Sequence, residues 1–228
     1  MATQLDLQEQ EQIDALKAFW NKYGNLVTGI LLLAAGAYAG YQGWQYWQRE
    51  QGVKAAAIFE QVDQSAAAGD AERAGRLLGD LQQRYASTTF AHQAALLAAK
   101  VQFEKGQADA AKASLAWAAD KGSDADLRTV ARLRLAAVQA EAKQFDEALK
   151  TLDAAKSEGF EPLVADRRGD VLMLQGKRAE ALVAYQAAWA AMTEKQDYRR
   201  VIEAKLTALG AAPAVAAAAS ASASGAKP

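Results

Sequence analysis

Gly176-Lys177-Arg178-Ala179-Glu180-Ala181 is the last of four copies of one short pattern in this chain. The others are Gly69-Asp70-Ala71-Glu72-Arg73-Ala74, Gly106-Gln107-Ala108-Asp109-Ala110-Ala111 and Lys143-Gln144-Phe145-Asp146-Glu147-Ala148. The first three starts are evenly spaced, and the fourth follows after a shorter interval. Each copy reads as a turn, then a charged first helical turn, then alanine in the sixth place, with Ala-rich helical patterns on both sides. No proline lies between Ala55 and Glu161, which suits unbroken helices. One helix pair cannot bury its apolar face alone, so such pairs stack, and three or more are needed.

The period and the small residues resemble tetratricopeptide repeats. In that family two antiparallel helices cross closely, and Ala or Gly is required where the backbones meet. The resemblance assigns the key second-helix alanine to Ala74, Ala111, Ala148 and Ala181. It assigns the small first-helix position to Ala99, Ala136 and Gly169, with Val62 departing in the first unit. A second small position falls on Ala118, Ala155 and Ala188, with Leu81 departing in the first unit. The large position is Leu78, Leu115, Leu152 and Tyr185. Pro162 follows the third unit near the family's proline. The two equal intervals exceed the family's period of about 34 residues, which implies slightly long helices or loops. Gln196 to Leu209, with Tyr198, Val201, Ile202, Leu206 and Leu209 at helical spacing, reads as a C-terminal capping helix. An Ala-rich bundle without solenoid curvature is the competing reading.

Upstream of the repeats, no residue between Lys22 and Arg49 carries charge. The run opens Asn25-Leu26-Val27-Thr28-Gly29-Ile30-Leu31-Leu32-Leu33 and closes Trp44-Gln45-Tyr46-Trp47. A bilayer core of ~30 Å takes about 20 mostly apolar helical residues. Trp20, Tyr23, Trp44, Tyr46 and Trp47 flank it, where amphipathic rings prefer the headgroup level. A cleaved signal peptide would need a short basic leader, whereas Asp6, Glu9, Glu11 and Asp14 precede this run. An uncleaved single span is therefore expected. Lys17 and Lys22 on one side balance Arg49 and Lys54 on the other, so flanking charge sets no orientation. Gly29, Gly36, Gly40 and Gly43 fall on one stripe of the helix, where another transmembrane helix can approach closely.

The fold expected is all-α: a single N-terminal transmembrane helix followed by a tetratricopeptide-like α-solenoid. Residues 1–24 form a tail with a possible interfacial helix, 25–47 the span, 48–210 the repeat domain, and 211–228 a disordered Ala/Ser-rich tail.

The chemistry available is sparse. The chain has no cysteine, one histidine and a formal net charge of −1. This excludes disulfides and Cys-based metal sites, and it gives no electrostatic case for nucleic acid. His92 opens a first helix and reads as a solvated or capping residue. No P-loop or nucleophile-elbow motif is present. No catalytic residue, metal ligand, cofactor or small-molecule substrate is assigned, and the chain reads as a non-enzyme. Asp166 and Asp170 share a helix face and read first as solvated surface charge. In repeats of this kind the first helices line the concave face, so both are also candidate contacts for a peptide partner.

The whole order of tail, Gly- and aromatic-rich span and degenerate repeats resembles the YfgM family, ancillary subunits of the bacterial SecYEG translocon. The most specific stretches are Trp20-Asn21-Lys22-Tyr23-Gly24-Asn25 and Gln42-Gly43-Trp44-Gln45-Tyr46-Trp47. The resemblance implies a single-pass inner-membrane protein with a cytoplasmic N-terminus and periplasmic repeats. It further implies association with the translocon and with a PpiD-like periplasmic chaperone, in handing over newly exported proteins. An anchored scaffold for cytochrome c biogenesis or cell division is the alternative that the repeats leave open.

Overall fold

In a computed structural model, residues 2–122, 124–193 and 197–213 are described, without the side chains of 2–10. Residues 214–228 of the expected tail, and Gln196 of the expected cap, lie outside the described residues. The chain divides into two compact units, Met1–Gln51 and Gly52–Pro228. Helix is the only regular structure among the described residues. The elements are α1 (Ala2–Ala67), α2 (Ala71–Arg84), α3 (Thr89–Glu104), α4 (Ala108–Lys121), α5 (Ala125–Glu141), α6 (Phe145–Asp153), α7 (Glu161–Leu174), α8 (Arg178–Ala191) and α9 (Arg199–Ala208). The last spans a shorter stretch than the Gln196–Leu209 expected from its apolar spacing.

The first unit is helical throughout its described length, so the helix expected near the membrane extends back to Ala2. Most of its described apolar side chains, among them Ile30, Leu31, Leu32 and Leu33, are exposed, with Val27 partly covered. By length and composition this helix can cross a membrane, and it is not a buried core helix. Polar tips within it pair locally: Gln42 Nε2 donates to Tyr38 Oη at 2.7 Å, and Gln45 makes the same i,i+4 bond to Tyr41. Such pairs reduce the cost of polar groups in hydrocarbon.

The second unit is the stack of helix pairs. The end of α1 shares a core with α2, α3 pairs with α4, α5 with α6, and α7 with α8, and successive first helices α3, α5 and α7 also pack on one another. Ala55 and Val62 of α1 join α2, α3 and α4 in one core, and Phe59 meets Phe90 with ring centroids 5.8 Å apart. A second core joins Ala136, Ala148, Leu152 and Val171, and a third joins Leu172, Tyr185, Ala188, Ile202 and Leu206. Each core uses side chains from neighbouring pairs, which is why no pair is a folding unit by itself.

The turn inside each pair repeats one device. At Gly106 the amide donates to Phe103 O at 2.9 Å, and the next amide, Gln107, reaches back to Gln102 O at 2.8 Å. The same two bonds recur at Gly69, Lys143 and Gly176. This is the Schellman ending, and it requires a left-handed residue. Gly69, Gly106 and Gly176 supply it with φ of 70°, 77° and 81°, whereas the third pair forces Lys143 to φ 61°. Helix starts are capped by side chains: Asp70 Oδ1 accepts from Arg73 N at 2.9 Å, and Thr88 Oγ1 from Ala91 N at 3.3 Å.

Candidate functional site

Ala74, Ala111, Ala148 and Ala181 are each 0% exposed, at the same place in α2, α4, α6 and α8. Gly169 shows why a small residue is required in the fourth pair. A Cβ built there would lie 2.4 Å from Tyr185 Cε1, far inside contact distance. In the first unit, Gly29, Gly36, Gly40 and Gly43 are open: a Cβ at any of them meets nothing within 4 Å. Nothing among the described residues therefore requires glycine along that stripe.

Asp166 and Asp170 occupy a different environment from solvated surface charge. Asp166 is 2% exposed, and its carboxylate accepts from Lys205 Nζ at 2.7 and 2.9 Å and from Tyr198 Oη at 2.8 Å. Asp170 accepts from Lys205 at 2.6 Å and from Tyr185 Oη at 2.8 Å, and Arg167 lies 3.5 Å from its other oxygen. Burial, then the hydrogen bond to Asp170, raises the Tyr185 phenol far above its ordinary pKa. Burial and Asp166 together raise Tyr198 to about 12. The six side chains form one network that fastens α9 to α7 and α8. A carboxylate held by an ammonium is satisfied, and Asp166 has no surface left for a partner.

His92 also differs from its expected role. It is fully buried and stacks on Trp117 with ring centroids 5.0 Å apart. The capping role at this helix start belongs to Thr88. The carbonyls of Thr88 and Lys121 lie near the imidazole and favour its charged form, but neither ring nitrogen has a hydrogen-bond partner of good geometry. Desolvation dominates and lowers its pKa.

The arginines of α5 divide by role. Arg128 Nη1 donates to Gly122 O at 2.6 Å and Arg132 Nη2 to Ala119 O at 3.0 Å, so both close the end of α4, where cations suit the helix dipole. Arg134 turns the other way, toward α3. It lines a groove of about 310 Å³ on the face of the first helices, with Leu96, Ala99, Lys100 and Phe103 of α3, Val138 and Glu141 of α5, and Arg167 of α7. The floor is apolar, and three of its four charges are cationic. Such a surface accepts an extended peptide through apolar side chains and carboxylates. Arg134 and Arg167 hold one position of the repeat in successive first helices, and that shared position is the sequence signal for this groove. Among the described residues no group of carboxylates and histidine could hold a metal ion.

A family model described as a tetratricopeptide repeat-like domain matches residues 17–211. The chain is 32% identical over 204 residues to the ancillary SecYEG translocon subunit of Neisseria gonorrhoeae, covering 89% of this chain and 98% of that protein. Against the ancillary SecYEG translocon subunit of Escherichia coli it is 33% identical over 182 residues, 78% of this chain and 86% of the relative. The protein of the same name from Haemophilus influenzae is 30% identical over 182 residues, 80% of this chain and 89% of its own. One apolar N-terminal helix, four stacked pairs with small residues at each crossing, and similarity running through both parts lead to one conclusion: this chain belongs to the YfgM family of ancillary SecYEG translocon subunits, built on a tetratricopeptide repeat-like domain.

Proposed function

We propose that this protein is a membrane-anchored adaptor of the Sec translocon. Residues 1–24 lie in the cytoplasm, residues 25–47 span the inner membrane, and the repeat domain of residues 48–210 lies in the periplasm. There it binds the translocon and a PpiD-like chaperone and helps hand over newly exported proteins. The observation that carries this reading is the co-linear match to a translocon subunit over 98% of that relative's length, by a chain with one membrane-competent helix. The orientation rests on the family resemblance, and a long domain translocates largely regardless of its own charge. The open stripe of Gly29, Gly36, Gly40 and Gly43 is the surface on which a translocon helix packs. The groove of Lys100, Arg134 and Arg167 receives a segment of the chaperone or its client. The role is binding and involves no catalytic step.

Affinity purification of the full chain from mild detergent is expected to recover translocon subunits together with the PpiD-like chaperone. Recovery of neither overturns the reading. The chain has no cysteine, so topology can be read from single introduced ones. A membrane-impermeant maleimide should label Lys177→Cys from the periplasmic side and leave Gln12→Cys unlabelled. The opposite pattern reverses the orientation.

A further inference from the structure

The fourth copy of the repeat, at Gly176, stands closer to the third, at Lys143, than the earlier copies stand to one another. Most of the shortening falls in α7, which is shorter than α3 and α5, and the third pair departs separately in its second helix. Every second helix begins three residues before its key alanine, from Ala71 in α2 to Arg178 in α8. Three of these helices run 14 residues, but α6 runs 9 and stops at Asp153. Ala154-Ala155-Lys156 would continue a helix by propensity. The connection of residues 154–160, longer than those after α2 and α4, takes those residues instead, through a turn at Gly159 with φ 84°, and leads to Pro162 in the first turn of α7.

Beside the residues that follow α6 there is an open groove of about 710 Å³, walled by residues 155–158, α7 and α8. Five residues of helix span about 7.5 Å, and a cylinder of that length with ~10 Å diameter encloses ~600 Å³. The groove therefore has the size of the missing helix end. Its wall is apolar, with Ala184 buried and Val183 left 65% exposed. Its rim carries Glu158, Glu161 and Glu180, none of them in a salt bridge among the described residues. Arg168, also at the rim, is already paired with Asp153, which leaves Lys156 as the one unpaired described cation there.

We propose that this groove is a docking site for a helix of a partner protein, which completes the third repeat in trans. The occupant is an amphipathic helix with medium-sized apolar side chains on one face and Lys or Arg beside them. A helix is the shape that the stack itself would place there, and Ala155, Ala165, Ala184 and Ala187 let its backbone approach closely. The three free carboxylates select a cationic border over an acidic one. The site is separate from the groove on the first helices and does not depend on which partner the adaptor reading names.

The test uses the full-length protein in nanodiscs and a fluorescent, alanine-based amphipathic peptide of about four helical turns. One version carries Leu at i,i+4 spacing flanked by Lys, and the other has Glu in place of Lys. The Lys peptide should bind and gain helicity, and the Glu peptide should bind at least tenfold more weakly, a difference of ~1.4 kcal/mol. Ala187→Trp, which fills the exposed wall, should weaken the Lys peptide roughly tenfold. Reversing Glu158, Glu161 and Glu180 to Lys should switch the preference to the Glu peptide. Lengthening α6 by one helical turn of alanines after Ala154, which extends it toward the length of the other second helices, should abolish binding while the far-UV helical signal is retained. Binding unaffected by these variants, or binding without gain of helicity, overturns the proposal. Self-association that Ala187→Trp abolishes would overturn it too, by assigning the groove to a second copy.

Discussion

In the third repeat, Ala136 of α5 and Leu152 of α6 occupy the two positions that in the fourth are held by Gly169 of α7 and Tyr185 of α8. The larger ring takes the space of the missing Cβ, and its hydroxyl bonds Asp170. On the same first helices, Leu133 and Ala137 of the third repeat become Asp166 and Asp170 at the equivalent positions of the fourth. The third repeat is followed by another pair and keeps apolar residues there. The fourth is followed by α9 and uses carboxylates closed by Lys205. The repeat therefore conserves the geometry of each crossing, and its chemistry follows whatever packs on it next.

The largest effect should come from breaking the ionic closure. Lys205→Met leaves a carboxylate buried without its cation, a change costing about 3 kcal/mol at this partly exposed site. For a domain of this size that lowers Tm by ~6–12 °C in calorimetry. Adding Asp166→Leu and Asp170→Ala, which copies the third repeat, should recover most of the loss. If Lys205→Met alone leaves Tm unchanged, the network does not hold the cap. Next comes the crossing itself: Gly169→Ala should cost about 2 kcal/mol, because the ring of Tyr185 must move. Combining it with Tyr185→Leu reproduces the pair of the third repeat, so the double variant should be more stable than Gly169→Ala alone. Additive losses would show that the two positions are not coupled.

The second repeat extends the comparison through acid. His92 and Thr129 hold one repeat position in successive pairs, and both are fully buried. The His92 pKa is lowered by desolvation from the ordinary 6.5, so the unfolded chain binds the proton more readily. Stability is then full above pH 6.5 and falls as pH drops below it, until the folded imidazole also protonates. Urea unfolding should show a loss of at most ~1.4 kcal/mol per pH unit in that window. His92→Thr should flatten this part of the profile, and an unchanged slope would assign it to other groups. The smallest effect concerns the turns. Lys143→Gly should stabilise by ~1 kcal/mol, because the left-handed backbone penalises a Cβ, and Gly176→Lys should cost a similar amount.

Much of this molecule was legible in its residues, and the gaps are informative. The copies beginning at Gly69, Gly106, Lys143 and Gly176 mark the four turns directly, because a Schellman ending is set by a few consecutive residues. The uncharged run marks a membrane-competent helix for the same local reason. Asp166 was harder to read. An acidic residue on a helix looks solvated until α9, much later in the chain, supplies Lys205. His92 looked like part of a helix start, and only the approach of Trp117 from α4 buries it. The early end of α6 had no local signal, because Ala154-Ala155-Lys156 by themselves favour helix and the shortened last interval falls mostly in α7.

The sequence by itself determined the helical class, the repeat, the small residues at the crossings and the membrane-competent apolar helix, because each depends on spacing within a turn or a helix. Only the tertiary structure decided which charges are buried, which cations cap helices and which line a groove, and where the stack is left incomplete. Those outcomes depend on side chains meeting across pairs such as Asp166 and Lys205 or Gly169 and Tyr185, whose contacts no local pattern encodes.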